Sequence, residues 1–395
     1  MIVYYVNLAL IAVLGWLLCV RNPTNPKKII YLAITFGYMW FIATFREGIG
    51  NDYQNYIAIF EEIRAANGLS GLMELNYEPG FVLISKVMSL FVHSPVVMYG
   101  VYELLILLPI VWFIYRHCED VWFSTWLFVT LTFFYTSMNF VRQSLACSVI
   151  VMGYDFLRKR KTLAFLLIVL LAMSMHKTVF IMIPVYFICH FPLNKKLGIF
   201  YGATTLFLFL FSSPILDFVT QFVFSEYRDT VYLKQGLDII FLMLPAVVFG
   251  GCLSLYPVWK ERSGYAPILL NLMMYNCIIW LFLTRHFILE RFSMYVYIFV
   301  LVAIPDAIRA LRASPETISS YESIRSEMDS SKKKPGKEKE AKLAELGQII
   351  SDHKKYYWSA VAAMLLISLF YNEFGMYNNG FHGVFPYRSV LSWLP

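Results

Sequence analysis

Long apolar runs separated by short charged breaks dominate this chain, at residues 2–20, 29–45, 96–115, 121–137, 140–157, 162–174, 178–190, 198–211, 237–256, 266–284, 288–305 and 357–371. In a bilayer every main-chain N–H and C=O must find a partner within the protein, so uncharged runs of this kind predict helices that cross it. The pattern predicts an all-α, polytopic integral membrane protein with about 12 transmembrane helices. Several runs fall short of the roughly 17–25 residues a span needs, so their helices extend into flanking polar residues. The stretch 78–91, at about fourteen residues, is also short and carries Ser85, Lys86 and Ser89 on one flank. It predicts a re-entrant or interfacial helix on the external side.

Composition agrees with the pattern. Of 395 residues 59% are hydrophobic and only 15% charged, against the roughly 45–50% apolar content usual in soluble domains. The mean hydropathy is +0.60. The 27 Tyr and 9 Trp suit many membrane interfaces, where an amphipathic ring sits well. The net charge of +7 is spread over short clusters between spans, which orient helices, and this argues against nucleic acid as a partner. The cysteines, Cys19, Cys118, Cys147, Cys189, Cys252 and Cys277, stand singly in or beside apolar runs without metal-ligand spacing, and read as packing residues.

The clusters Arg21/Lys27/Lys28, Arg116/His117, 158–161, Lys195/Lys196, Lys260/Arg262 and 309–355 fall on one side if the N-terminus is external. Because basic loops stay cytoplasmic, this predicts external N- and C-termini, provided 78–91 does not cross. Residues 1–20 lack a basic leader and a small-residue cleavage site, and read as a first span. The expected organisation is a transmembrane core over 1–305 with external loops at 46–95 and 212–236. A charged cytoplasmic insertion follows at 306–356, then a last transmembrane helix and external C-terminal tail over 357–395. The insertion, with Ser330, Ser331, Lys332 to Lys334, Pro335 and Gly336, reads as a solvated linker flanked by surface helices. Docking of cytoplasmic regulators is its second reading.

Basic residues on the external side are the ones orientation does not explain. Arg46, Arg142, Arg285 and Arg291 all fall at external span ends and could share one outward cavity. Arginine suits a diphosphate because its planar fork donates paired hydrogen bonds and keeps its charge on burial. The plainer reading is that each snorkels to headgroups or pairs with an acid such as Glu47, Asp52 or Glu290. After Arg46, Gly48 and Gly50 permit a tight turn, and Asn51 or Asp52 can cap the next helix. Asp52 is thus either a cap or an acceptor that orients a sugar hydroxyl. Glu78, ahead of Pro79, either complements a helix dipole or serves as a base or sugar ligand. The 139–144 stretch opens a span with Arg142 and Gln143 near a helix start that would suit an anion. His176 is either structural or a phosphate or proton partner. The polar and aromatic residues Asp217, Glu226, Tyr227, Arg228 and Tyr232 would suit sugars, though weakly.

Together, Phe45-Arg46-Glu47-Gly48-Ile49-Gly50-Asn51-Asp52-Tyr53 with Tyr56 and Phe60, Tyr77-Glu78-Pro79-Gly80-Phe81, 139–146 with Arg142 and Gln143, and 172–177 with His176 resemble the EpsG-like family of bacterial exopolysaccharide polymerases, related in role to Wzy-type repeat-unit polymerases. Glu290-Arg291-Phe292 with Tyr295 is similar but less specific. The long insertion departs from the family pattern. The resemblance implies a glycosyltransferase in the bacterial plasma membrane. It would transfer a growing undecaprenyl-diphosphate-linked glycan onto a new lipid-linked oligosaccharide at the outer face. No DxD-like pair stands on the outer side, which predicts metal independence, a single displacement without a protein nucleophile predicts inversion, and no cofactor is expected. Arg142, Arg46, His176, Asp52 and Glu78 are the expected catalytic residues, and Arg291, Arg285, Tyr53, Tyr77 and Gln143 the expected substrate-binding ones. Expected partners are the lipid-linked substrates, membrane lipids and other assembly proteins such as a flippase or chain-length regulator. The alternatives are a lipid-linked oligosaccharide flippase or transporter, an external ligase or acyltransferase, and a scaffold of the assembly machinery.

Overall fold

The computed structural model describes residues 2–214, 240–286, 290–330 and 336–391. All regular structure among them is helical, and each apolar run, over its described residues, falls on one or two helices. Five helices are long and apolar enough to cross a membrane, or seven if two bent pairs each count as one span. The remaining runs form shorter or more polar helices, so the structure gives five to seven candidate spans where the sequence predicts about 12.

The chain begins with α1 (Ile2–Leu14), extended by a π-helical turn (Gly15–Val20), then α2 (Asn25–Thr44), whose start Thr24 caps through the Lys27 amide. α3 (Tyr53–Ala65), α4 (Gly68–Met73) and α5 (Pro79–Ser89) follow, and α6 (Pro95–His117) packs along α2. Next come α7 (Val121–Thr130), α8 (Phe133–Asn139), α9 (Val141–Met152), α10 (Tyr154–Arg158) and α11 (Thr162–Met173). A 3-10 turn (Lys177–Ile181) leads into α12 (Met182–Ile188) and α13 (Lys195–Leu210). The second half holds α14 (Ile240–Arg262), α15 (Ala266–Leu283), α16 (Glu290–Tyr297), α17 (Val300–Arg309), α18 (Pro315–Ser330) and α19 (Lys337–Gly383). The residues 217–232 named above lie outside the described residues, as do Ser331 to Pro335.

Apolar side chains such as Leu163, Leu167, Leu170 and Leu171 of α11 stay exposed, as lipid-facing side chains do. α5 covers most of the stretch 78–91. Its polar flank faces the protein: Ser85 is buried against Tyr102 (Oγ to OH, 2.6 Å), and Lys86 Nζ donates to the carbonyls of Ile63, Arg64 and Ala66 at the end of α3. Leu83, Leu90 and Phe91 point outward.

The basic loops gather at one end. Lys28 Nζ donates to the Glu119 carbonyl, Arg309 pairs with Glu119, Arg312 pairs with Asp120 at 3.1 Å, and Arg116 and Arg158 share Asp155. Arg46 lies at the other end of the 20-residue α2, about 30 Å away at 1.5 Å per residue. The insertion is helical: α18 packs against the start of α19, a 47-residue helix that runs without a break from the insertion into the last span. The boundary drawn at 356/357 therefore falls inside one helix. Beyond α19 the chain turns back, and residues 382–391 lie against the loop after α2.

Arg46 and Glu103 are both fully buried, with Nη1 3.2 Å from Oε1. Arg46 also donates to the carbonyls of Ala43 and Met138 and lies over the Tyr99 ring at 4.1 Å. Glu103 accepts from Ser137 Oγ at 3.2 Å. Removing one partner strands the other charge in a low dielectric. Glu103→Ala is expected to destabilise the protein by about 3–5 kcal/mol, read as a lower melting temperature and a lower yield of monodisperse protein in detergent.

Candidate functional site

Four segments meet at the end of the bundle opposite the basic loops. The first is the turn after α2. Gly48 and Gly50 have φ of +61° and +92°, a region glycine enters without strain, and a Cβ on Gly50 would crowd the Met138 carbonyl at 3.0 Å. The turn delivers Asp52 to the start of α3, where its amide donates to Asn139 Oδ1 at 3.1 Å. Asp52 holds the capping position but makes no capping bond, and its carboxylate has no hydrogen-bond or ion-pair partner among the described residues. Burial raises its pKa, with Arg291, Arg142 and His382 opposing.

The second segment is the start of α5. Gly80 N and Phe81 N both donate to the Ser174 carbonyl, at 2.8 and 3.1 Å. A Cβ on Gly80 would fall 2.2 Å from Ser174 Oγ and 2.7 Å from Met175 Cε, so only glycine allows this approach. The contact brings Glu78 to the third segment, the turn at His176. Glu78 Oε1 accepts the Lys177 amide at 3.2 Å and lies 3.9 Å from His176 Nδ1. Glu78 Oε2 binds Arg142 Nη1, from the first turn of α9, at 2.8 Å. Burial raises the Glu78 pKa, but Arg142, His176 and the Lys177 amide outweigh it and hold the carboxyl below its usual range.

His176 is buried, and burial drives its pKa down to about 4; Glu78 opposes this, while Arg142, Arg291 and Lys177 add to it. It is neutral at pH 7. An amide N–H can only donate, so the Thr178 amide, 3.3 Å from Nδ1, makes Nδ1 the acceptor and leaves the proton on Nε2. Thr178 Oγ1 lies 3.1 Å from the same Nδ1 and 2.9 Å from Tyr295 OH of α16, fixing the ring. Arg142 retains a quarter of its side-chain exposure, so the cluster is open. Its amide donates to Tyr56 OH at 3.3 Å, and its guanidinium lies over Tyr77 and Phe81 at 5.6 and 5.8 Å. The fourth segment is the start of α16. Gln143 Nε2 donates to the Arg291 carbonyl at 2.7 Å, and a narrow cleft between them is lined by Thr136, Phe140, Tyr297 and Tyr371.

The structure thus brings Arg142, Glu78, His176, Asp52, Gln143, Arg291 and Tyr77 together. It places the other expected residues elsewhere. Arg46 is closed off beneath the site by Glu103, a carboxylate outside the set Glu47, Asp52 and Glu290 considered for the external arginines. Tyr53 stacks on Tyr99 at 4.8 Å and is buried. Arg285 donates to the Phe209 carbonyl at 2.7 Å, at the end of α13. Glu103, Thr178 and His382 are not among the residues expected from sequence, where Tyr295 stands only beside the Glu290-Arg291-Phe292 motif. Of the first three only Glu103, an acid inside an apolar run, carries a signal in sequence.

Two expectations follow. Between pH 6.5 and 4 the unfolded chain binds a proton that folded His176 refuses, and Glu78 acts in the same sense, so stability rises with pH. Lowering the pH from 7 to 5 is expected to lower the melting temperature in detergent, by less in His176→Gln. Gly80→Ala is expected to cut activity by at least about 10-fold, since displacements near 1 Å at a site carry such costs, while leaving membrane expression near normal on immunoblots.

The comparisons with curated proteins and with solved structures each find no match. The model of the EpsG family matches residues 29–321, which include every residue of the cluster, and the chain belongs to the EpsG family.

Proposed function

We propose that this protein is a polysaccharide polymerase of the plasma membrane that works on undecaprenyl-diphosphate-linked substrates at the outer face. Family membership supports polysaccharide biosynthesis at the coarse level. The observation that carries the finer reading is the open Arg142–Glu78–His176 cluster beside the Asp52 carboxylate, which has no hydrogen-bond or ion-pair partner among the described residues.

The three candidate bases differ in what they are free to do. Glu78 is occupied by Arg142 and the Lys177 amide and is stabilised as the ion, which weakens it as a base. His176 offers a proton on Nε2, and so acts as a donor to a phosphate oxygen. Asp52 is the base: burial raises its pKa and none of its carboxylate lone pairs is committed to a described residue. The acceptor hydroxyl of the new repeat unit gives its proton to Asp52 as its oxygen bonds to the anomeric carbon of the growing glycan. The bond from that carbon to the diphosphate breaks, and undecaprenyl diphosphate leaves with the electron pair. Arg142 and Arg291, with the His176 donor, stabilise the charge that develops on the leaving group. A single displacement inverts the anomeric configuration, and the arginines supply the cationic charge without a metal.

One observation favours transport as a second reading. α7 and α8 meet at 50° and α16 and α17 at 44°, each about halfway along its apolar run, as in transporters built on broken helices. The residues at these breaks, Leu131, Thr132, Ile298 and Phe299, are not ionisable, whereas the charged groups sit at one end. This difference favours polymerisation.

Purified full-length protein given a lipid-diphosphate-linked repeat unit is expected to yield a ladder of longer lipid-linked products. Arg142→Ala and Asp52→Asn are each expected to slow it by about 100-fold or more. Unchanged substrate from well-folded protein would point to transport, and product on a different acceptor to a ligase. For orientation, Glu74→Cys should react with a membrane-impermeant maleimide in intact spheroplasts and Ser323→Cys only after lysis; the reverse pattern would place the cluster inside.

A further inference from the structure

The last ten described residues return to the site from beyond the stretch that the family model matches. The turn carrying Asp52 has three consecutive amides, of Gly50, Asn51 and Asp52. Gly50 N donates to the Gly383 carbonyl at 3.0 Å and Asn51 N to the His382 carbonyl at 2.9 Å, while Asn139 takes the third. Two of the three bonds that fix Asp52 thus come from the C-terminal return. Further along, Glu47 N donates to the Arg388 carbonyl and Val390 N to the Phe45 carbonyl, both at 3.0 Å. Gly383 has φ +75°, and a Cβ there would lie 2.5 Å from Asn51 Oδ1, so the approach is close by construction.

His382 stands where these elements join. Its Nε2 lies 3.2 Å from Glu290 Oε1, next to Arg291, and its ring meets the Phe140 ring edge-on at 4.8 Å, two residues before Arg142. Burial works against its charge, but Glu290 and Asp52 outweigh it and raise its pKa; a carboxylate oxygen only accepts, so Nε2 is the donor to Glu290. Among the described residues, the charges that act on His382 include those of Glu290 at the start of α16 and Asp52 at the start of α3.

We propose that residues 382–391 are part of the site, and that His382, donating to Glu290, is a positioning residue that holds the Asp52 turn against the starts of α9 and α16. The inference rests on Asp52 acting as the base, as proposed above. A charge-assisted hydrogen bond between two different segments is a strong restraint on their relative placement, and displacements near 1 Å at a site cost rate in the reacting complex. His382 itself touches neither substrate nor the reacting atoms in this account.

The test uses full-length protein in detergent with the lipid-diphosphate-linked repeat unit. His382→Ala is expected to lower kcat by about 10-fold or more with KM within about 2-fold, since only the transition-state geometry is lost. His382→Gln, whose amide nitrogen reaches the place of Nε2, should keep at least about a third of the rate, whereas His382→Asn, whose amide falls short, should behave like the alanine variant. In an Asp52→Asn background His382→Ala should change the remaining rate by less than about 2-fold, because a residue acting through Asp52 loses its effect when Asp52 is disabled. A general structural role would instead give losses that add, and would lower the melting temperature of all three variants. Wild-type kcat in His382→Ala, equal loss in the glutamine and asparagine variants at unchanged melting temperature, or full additivity with Asp52→Asn overturns the proposal. If Asp52→Asn polymerises like wild type, the base assignment has failed and this inference falls with it. If Asp52→Asn is inactive while the His382 variants are normal, only the positioning role has failed.

Discussion

The arrangement of the site depends on one interaction beneath it, the fully buried ion pair of Arg46 and Glu103. A guanidinium in an apolar helical bundle is tolerable only when an opposite charge and enough acceptors surround it. Arg46 finds Glu103, the carbonyls of Ala43 and Met138, and the face of Tyr99. These belong to α2, α6 and α8, so one side chain fixes the relative height of three helices. The consequence is felt one residue further on, because Asn139 follows Met138 and receives the Asp52 amide. Phe140 and Arg142 follow Asn139 in turn. An arginine that resembles a substrate ligand in sequence thus works as the support on which the ligands are placed.

Above that support, the division of charge decides the chemistry. Arg142 is opposed by Glu78 and Arg291 lies beside Glu290, so neither cation is a bare charge at the membrane surface. The cluster therefore presents directed donors at modest net charge, as the proposed transfer from a lipid diphosphate requires. The acids are unequal because their surroundings differ. Glu78 is saturated with donors, Glu290 is engaged by His382, and Asp52 is left with raised basicity. The same physics sets His176, whose neutral ring and proton on Nε2 follow from burial and from one backbone amide at Nδ1.

The opposite end has its own organisation. Asp120, Arg312 and Tyr357 form a closed set in which Arg312 donates to both partners and Tyr357 OH donates to Asp120 at 2.9 Å. His353 meets the Leu311 carbonyl at 2.7 Å. These contacts tie the charged helical hairpin of α18 and α19 to the bundle. At 1.5 Å per residue α19 reaches about 70 Å, so a single rigid element connects this hairpin to the return segment at the site.

Hydropathy alone determined that the chain is helical and membrane-embedded, because a bilayer imposes that answer on any sequence of long apolar runs. Local chemistry also marked the start of α5 through Pro79 and the tight turn after α2 through the glycines at 48 and 50. Charge pattern placed Arg142, Asp52, Glu78, His176 and Arg291 at span ends on one side, and the structure draws those five together. The partners could not be read in this way. Glu103 lies 57 residues from Arg46, Asn139 is 87 from Asp52, and His382 is 92 from Glu290. Hydropathy reports how far a side chain tends to lie from water, and carries no term for which helix it will face. That choice is made by packing, where a buried charge accepts only the geometry that satisfies it, and so the tertiary structure alone separated the arginine that supports the site from those that line it.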